Sequence, residues 1–259
     1  MSLDCVLTPS ATEKLSYFLP GELEKINPSH MPHHIAIIPD GNRRWAKKNF
    51  SETHKGHHEG ANTLMDIVKA AQELKIKMIT FYAFSTENWS RPQEEVIGLM
   101  MIFSNYLLEQ KDEMIRFGIK LETIGDLTRL SPLLNKIIED TKAATNHCNS
   151  MQLILAFNYG SRDELARACK SMFQDYSNKQ LSIDDINEET ISRYLDTRQW
   201  QDPDLLIRTS GEVRVSNFLL WQISYAEIYI SPVLWPEFSP SNLLDAVIDY
   251  QTRNRRGGI

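Results

Sequence analysis

Four short apolar runs, each ending in a polar cluster, constrain this chain more than any other feature. They are HIAII (34–38), stopped by Pro39, then MITFYAF (78–84), MQLILAF (151–157) and DLLIR (204–208). Runs this short and this predominantly apolar fit parallel strands buried on both faces. A fifth segment, KLETI (120–124), alternates like a strand. Helical periodicity fills the gaps. Residues 58–74 place Leu64, Ile67, Val68, Ala71 and Leu74 on one face, and 93–117, 132–147, 161–176, 188–195 and 241–255 also read as helices. Strands and helices alternating at this spacing predict an α/β fold, a single domain with a mostly parallel central sheet covered by helices. Residues 1–30 read as a loosely held arm with one short helix around Ala11 to Phe18, and residues 31–259 as the domain proper.

The helix predicted from Gln93 to about Phe117 is apolar around much of its circumference (Val96, Ile97, Leu99, Met100, Ile102, Phe103, Tyr106, Leu107). That implies burial on more than one side, or the wall of an apolar cavity. The net charge of −6 does not favour nucleic acid as a partner, so any anion site has to come from local clustering of Arg and Lys. Cys5, Cys148 and Cys169 are odd in number and lack metal-ligand spacing, which fits reduced thiols. No apolar stretch nears the roughly 18 residues of a membrane span. The first residues lack a basic stretch followed by an apolar one, so no cleaved signal is expected. A cytoplasmic protein is the expectation, with peripheral contact at a membrane left open.

In open parallel sheets ligands bind beyond the carboxyl ends of the strands, and the polar motifs stand there. After the first strand comes PDGNRRWAKK. Its Gly41-Asn42 pair before a helix start offers backbone amides and the positive end of a helix dipole. Arg43, Arg44, Lys47 and Lys48 add charge suited to phosphate. Asp40 in that company reads either as a Mg²⁺ contact whose shell phosphate oxygens complete, or as a helix N-cap. GHHEGA brings His57 to the next helix start, and STENWSRP supplies Ser85, Glu87, Asn88, Trp89 and Arg91. That loop reads either as a turn with Trp89 as its packing anchor, or as the source of a second phosphate ligand in Arg91, just before Pro92. RTSGEVRVSN holds Arg208, Arg214 and Ser216, donors suited to a second diphosphate. Glu227 lies in the apolar segment FLLWQISYAEIYI and needs a partner, either a metal ion or an arginine. Two anion cradles, candidate metal carboxylates and a wide apolar surface suit two diphosphates plus hydrocarbon. No GxxxxGK[ST] or GxGxxG signature of nucleotide binding occurs, and the DDxxD of trans-type prenyltransferases is absent.

HIAIIPDGNRRWAKK, GHHEGA, YAFSTENWSRP, NYGSRDE and RTSGEVRVSNFLLWQISYAEIYI stand in the order and spacing of the cis-prenyltransferases. From about His33 onward the chain resembles that family, and within it the bacterial undecaprenyl diphosphate synthases. The resemblance implies elongation of farnesyl diphosphate with isopentenyl diphosphate, making a long-chain polyprenyl diphosphate, the undecaprenyl lipid carrier of cell-wall synthesis. Carried over by position, Gly41, Asn42, Arg43, Arg44, His57 and Arg91 bind the allylic diphosphate, and Trp45 is among the substrate-binding residues. Arg208, Arg214 and Ser216 bind isopentenyl diphosphate. Asp40 and Glu227 place Mg²⁺, and Asn42, with Ser85 nearby, assists loss of the proton. Glu87, Asn88 and Trp89 belong to a loop closing over the substrates. The resemblance also implies a homodimer in which the tail (Arg255, Arg256, Gly257) reaches the partner's site, and delivery of the product to the membrane.

Three positions depart from the family pattern. Pro39 stands where Met is usual, and Thr53 where many members carry an Arg, with Lys55 nearby. The tail also lacks the aromatic of the usual RRFGG. The resemblance places the tunnel floor partly on the fourth strand, at Met151 and Leu153, with the long helix as its wall.

Overall fold

In the computed structural model, which describes residues 16–253, the elements follow the order α1 (Pro20–Leu23), β1 (His34–Ile38), α2 (Asn42–Lys48), α3 (Thr53–Glu73), β2 (Met78–Ser85), α4 (Gln93–Arg116), β3 (Ile119–Ile124), α5 (Pro132–Thr145), β4 (Met151–Tyr159), α6 (Ser161–Ser177), α7 (Glu188–Tyr194), β5 (Leu205–Arg208), β6 (Glu227–Ile230) and α8 (Pro240–Thr252). The strands form one six-stranded sheet in the order β3-β4-β2-β1-β5-β6, and every pairing is parallel. The predicted α/β domain is therefore the observed one, with β6 added at an edge.

Alternation along the strands builds a core on each face. Ile35, Ile37, Leu153, Leu155 and Phe157 join the larger core, to which α3, α4, α5 and α8 contribute. Ala36, Ile38, Ile154, Ala156 and Leu206 join a smaller one with Tyr82, Tyr159 and Phe218. A register irregularity in β2 breaks the alternation. Tyr82 pairs with Ala156 but Phe84 with Phe157, so two steps of β2 oppose one of β4. Phe84 thereby joins the larger core, against Phe103 and Trp89. Such bulges re-aim side chains at strand ends, and this one sets the position of Ser85.

The arm is less loose than its composition suggests. Phe18 is buried in the larger core, Tyr17 N donates to Glu73 at 2.8 Å, and Asn27 N donates to Gln251 at 2.9 Å. The described part of the predicted helix around Ala11 to Phe18, residues 16–18, is not helical; the rest lies outside the described residues. α4 presents three faces. One packs in the core (Val96, Met114), one lines a cavity (Leu99, Phe103, Leu107), and one leaves Ile97, Met101 and Leu108 exposed. Among the described residues no helix is long and apolar enough to cross a membrane.

His34, buried at the start of β1, ties the sheet together. Its Nδ1–H donates to the Gln201 carbonyl at 2.7 Å, so Nε2 accepts from the Thr80 hydroxyl at 2.8 Å. Burial pushes its pKa down to about 4, against the smaller opposing pull of the Gln201 hydrogen bond and Asp204. The unfolded chain, near the ordinary 6.5, then binds a proton that the folded chain refuses. His34 therefore leaves stability intact above about pH 6.5 and drains it progressively as pH falls toward 4. The effect reaches roughly 3 kcal/mol. Melting curves of the wild type should drop between pH 7 and 5, and His34→Gln should flatten that slope; an unchanged slope in the variant refutes the assignment.

Candidate active site

The carboxyl ends of β1, β2, β4 and β5 deliver the polar motifs to one side of the sheet. Gly41 caps α2 with φ of +112°, and a Cβ there would lie 2.9 Å from the Leu234 side chain. Asp40 is thus not the N-cap. Its carboxylate instead accepts from Arg208 at 2.8 Å, and its carbonyl accepts from Thr209 Oγ1 and Trp235 N. α3 lies against α2 through two glycines one turn apart. A Cβ on Gly56 would stand 2.2 Å from the Asn42 carbonyl oxygen, and one on Gly60 2.5 Å from Asn42 Oδ1. That contact seats Asn42, whose buried Oδ1 has no hydrogen-bond partner.

Five arginines gather around this turn, and each meets a carboxylate. Arg208, only 3% exposed, holds Asp40 and also donates to Ser216 Oγ at 2.7 Å and to the Arg214 carbonyl. Arg44 donates to the Ser210 carbonyl at 3.1 Å and to its hydroxyl, with Asp40 at 3.7 Å and Glu212 at 3.2 Å. Arg214 pairs with Glu212. Glu95 collects Arg91 at 3.0 Å and Arg43 at 3.7 Å. His57 Nε2 lies 3.4 Å from Glu95, outside hydrogen-bonding alignment. Burial, then the charge of Arg91, pushes the His57 pKa down to about 4 despite Glu95, so its imidazole is neutral near pH 7. Five guanidinium groups against three carboxylates leave an excess of two positive charges. Single acidic ligands such as carboxylates satisfy that poorly; a diphosphate matches it.

The polar turn opens into an apolar cavity of about 540 Å³. Asp40, Asn42, His57, Ser85, Glu87, Asn88, Arg91, Arg208 and Ser216 line its mouth, and Leu64, Phe81, Leu99, Ile102, Phe103, Tyr106, Leu107 and Leu155 its interior. Gly41, Arg43, Arg44 and Arg214 line an adjoining pocket of about 320 Å³ that shares Asp40, Asn42, His57 and Arg91. Burial raises the Glu87 carboxyl, but hydrogen bonds from Asn217 (2.9 Å), Ser85 and Thr86 outweigh it and hold the group below its usual range.

Several sequence expectations are corrected here. Glu227 does not join Asp40. It starts β6 opposite Leu205, which pairs with Ile35, while Asp40 lies five residues past Ile35, about 16 Å along the strand direction. Its carboxylate instead accepts from Arg253 at 3.0 Å. Trp89 is a packing anchor: its Nε1 donates to Asn158 Oδ1 at 2.7 Å, and its ring lies under the Arg129 guanidinium and beside Phe84. Trp45 lines neither pocket. Met151 and Leu153 are buried below the cavity, and Leu155 and Phe157 supply its β4 wall. Arg255, Arg256 and Gly257 lie outside the described residues. Glu95 and Glu212 went unforeseen, although Glu95 follows Arg91 by four residues, the spacing of a helical ion pair.

Comparison with known proteins places this geometry. The prenyltransferase family model for undecaprenyl diphosphate synthases matches residues 38–258. The chain belongs to that family. It is a prenyltransferase of the cis type. The isoprenyl transferase of Chlamydia trachomatis is 50% identical over 232 residues, spanning 88% of this chain and 92% of that one. The isoprenyl transferase of Clostridium perfringens is 46% identical over 230 residues, 88% of this chain and 91% of its own. Among solved structures, lavandulyl diphosphate synthase from Lavandula x intermedia, in complex with dimethylallyl diphosphate, superposes with a TM-score of 0.87 at 36% identity, covering 89% of this chain and 100% of that one. A probable undecaprenyl diphosphate synthase from Campylobacter jejuni gives 0.74 at 32%, covering 88% and 99%.

In this prenyltransferase the described residues contain no cluster of three His, Cys, Asp or Glu side chains able to enclose a metal. Asp40 at the edge of the arginine cradle nevertheless fits Mg²⁺. That ion is commonly held by one or two carboxylates together with substrate phosphates and water.

Proposed function

We propose that this cis-prenyltransferase condenses isopentenyl diphosphate onto an allylic diphosphate, with farnesyl diphosphate as primer. The product is a long-chain polyprenyl diphosphate, the undecaprenyl carrier for cell-wall synthesis. The observation that carries the reading is continuity: a five-arginine cradle opens directly into a cavity with an apolar interior. An amphiphile with a diphosphate head and a hydrocarbon tail matches both halves. The dimethylallyl diphosphate bound by the lavender enzyme is a short ligand of that kind.

The amides after Gly41 and the guanidinium groups of Arg43, Arg44 and Arg91 take the allylic diphosphate. Arg208, Arg214 and Ser216 take the isopentenyl diphosphate. Asp40 would hold Mg²⁺, and that ion when bound would supply positive charge against the diphosphate leaving group. The allylic C–O bond breaks while a new bond forms to the terminal carbon of the isopentenyl double bond. That leaves the positive charge on C3, and loss of a proton from the neighbouring C2 restores a double bond. Asn42 Oδ1, buried and free of any other hydrogen-bond partner, is the group assigned to that proton, with Ser85 on the same wall. Phe81, Leu99 and Phe103 keep water from the allylic cation. The same reading takes a cytoplasmic homodimer, its tail (Arg255, Arg256, Gly257) completing the partner's site, and product release to the membrane.

Purified protein given farnesyl diphosphate, labelled isopentenyl diphosphate and Mg²⁺ should form a butanol-extractable labelled product. Folded protein that forms none refutes the reading.

A further inference from the structure

NYGSRDE joins β4 to α6 and touches both loops that frame the site. At its start, Asn158 accepts from Trp89 Nε1 at 2.7 Å and so holds the loop after β2 (Thr86–Ser90). At the start of α6, Ser161 N donates to the Asn217 carbonyl at 2.8 Å and Arg162 N to Asn217 Oδ1 at 3.0 Å, and so hold the loop after β5. Asn217 closes the circuit, because its Nδ2 donates to Glu87 Oε1 at 2.9 Å.

The crossing is tight. Asn217 passes over Gly160, where a Cβ would stand 2.8 Å from Asn217 Nδ2 and 2.5 Å from Thr86 Oγ1. Ser216 and Asn217 both have positive φ, +48° and +61°. Residues other than glycine keep that backbone only where their surroundings fix it. Here the carbonyl and both side-chain polar atoms of Asn217 are all bonded. Its chain neighbour Ser216 presents Oγ to Arg208 at 2.7 Å. The loop after β2 has anchors of its own: Trp89 on Asn158, Asn88 Oδ1 accepting from Ser85 N at 3.1 Å, and Arg91 on Glu95. Breaking the Asn217–Glu87 bond therefore loosens Ser216 more than it loosens Arg91.

We infer that Asn217 is a positioning residue: by bonding Glu87 across Gly160 it fixes Ser216 in the half of the site assigned to isopentenyl diphosphate. The inference rests on the condensation proposed above. It gives NYGSRDE a part in that reaction, as the brace between the two loops.

The test is the steady-state KM for each substrate. Asn217→Gly accepts the left-handed backbone but lacks both side-chain bonds. It should raise KM for isopentenyl diphosphate about fivefold, the scale of one lost hydrogen bond, and leave KM for farnesyl diphosphate within about twofold. Gly160→Ala crowds Asn217 Nδ2 away from Glu87 without altering either residue. It should shift the same KM, and carries the test if Asn217→Gly melts below the assay temperature. Asn217→Asp keeps the acceptor for Arg162 N but sets a second carboxylate against Glu87, and should raise that KM at least as much. Adding Glu87→Gln to Asn217→Asp supplies an amide donor to the new carboxylate and restores the bond with its polarity reversed. The double variant should return to within about twofold of Glu87→Gln alone, a rescue that a merely structural role does not give. If the wild type condenses the substrates but the folded variants leave both KM values unchanged, or shift both alike, Asn217 does not position Ser216. A double variant no better than Asn217→Asp overturns the assignment as well. If folded wild type makes no product, the proposed activity falls, and the assignment of Asn217 falls with it.

Discussion

Asp40→Ala should lose roughly a thousandfold in turnover, the scale seen when one charge-stabilising group is removed from an active site. The fold should survive. Asp40 does not cap α2, because Gly41 does, so no helix is lost with it. What is lost is the acceptor for Arg208, whose guanidinium keeps Ser216 and the Arg214 carbonyl as partners. The Asp40 side chain is about a third exposed, so solvent screens part of the pair. The stability cost should stay near 1–2 kcal/mol, a shift of a few degrees in Tm. Asp40→Asn separates charge from shape: it keeps an acceptor for Arg208 but not the anion for Mg²⁺, and should be nearly as inactive as the Ala variant. Turnover within a few-fold of wild type in either variant would reduce Asp40 to a partner of Arg208.

Gly56→Ala should cost about a hundredfold in kcat/KM although no catalytic atom is touched. The added methyl carbon would stand 2.2 Å from the Asn42 carbonyl oxygen and 3.1 Å from Ala46. Neither is the flexible end of a side chain, so α2 has to move off α3. A displacement near 1 Å at a reacting group is enough for a loss of that size, and overpacking of this kind adds about 1–3 kcal/mol of destabilisation. Gly98→Ala, on α4 with nothing within 4 Å of the new carbon, is the matched control. It should gain up to about 1 kcal/mol from helix propensity and leave activity alone. If the two variants behave alike, the α2–α3 contact does not seat the site.

The strands were legible because parallel strands buried on both sides read as near-continuous apolar runs, and HIAII, MITFYAF and MQLILAF do, with only His34, Thr80 and Gln152 interrupting them. β6 escaped for the opposite reason: EIYI is four residues at a sheet edge, partly exposed and opened by a charge. Missing that strand is also what misplaced Glu227. Once the segment is known to run parallel to β5, a residue at its start belongs to the amino end of the sheet, away from Asp40. The donors of the site were legible because arginines beside glycine turns have few other uses. Their carboxylate partners were not, since Glu95 and Glu212 look like any solvated acid until the fold closes over them. Trp89 carried two readings, and only the Asn158 hydrogen bond and the Arg129 stacking decide between them.

Glu95 and Glu212 also change how the cradle behaves as a machine that must cycle. An incoming anion is not received by bare cations; it competes with Glu95 and Glu212, already within 4 Å of four of the five guanidinium groups, while Asp40 holds the fifth. Some intrinsic affinity is lost in that exchange, and in return the arginines have somewhere to go when the anion departs. A site that must release a diphosphate after every addition is limited by dissociation as readily as by chemistry. An internal counter-charge that re-forms its pairs as the leaving group exits lowers the barrier to that departure, trading tightness for throughput.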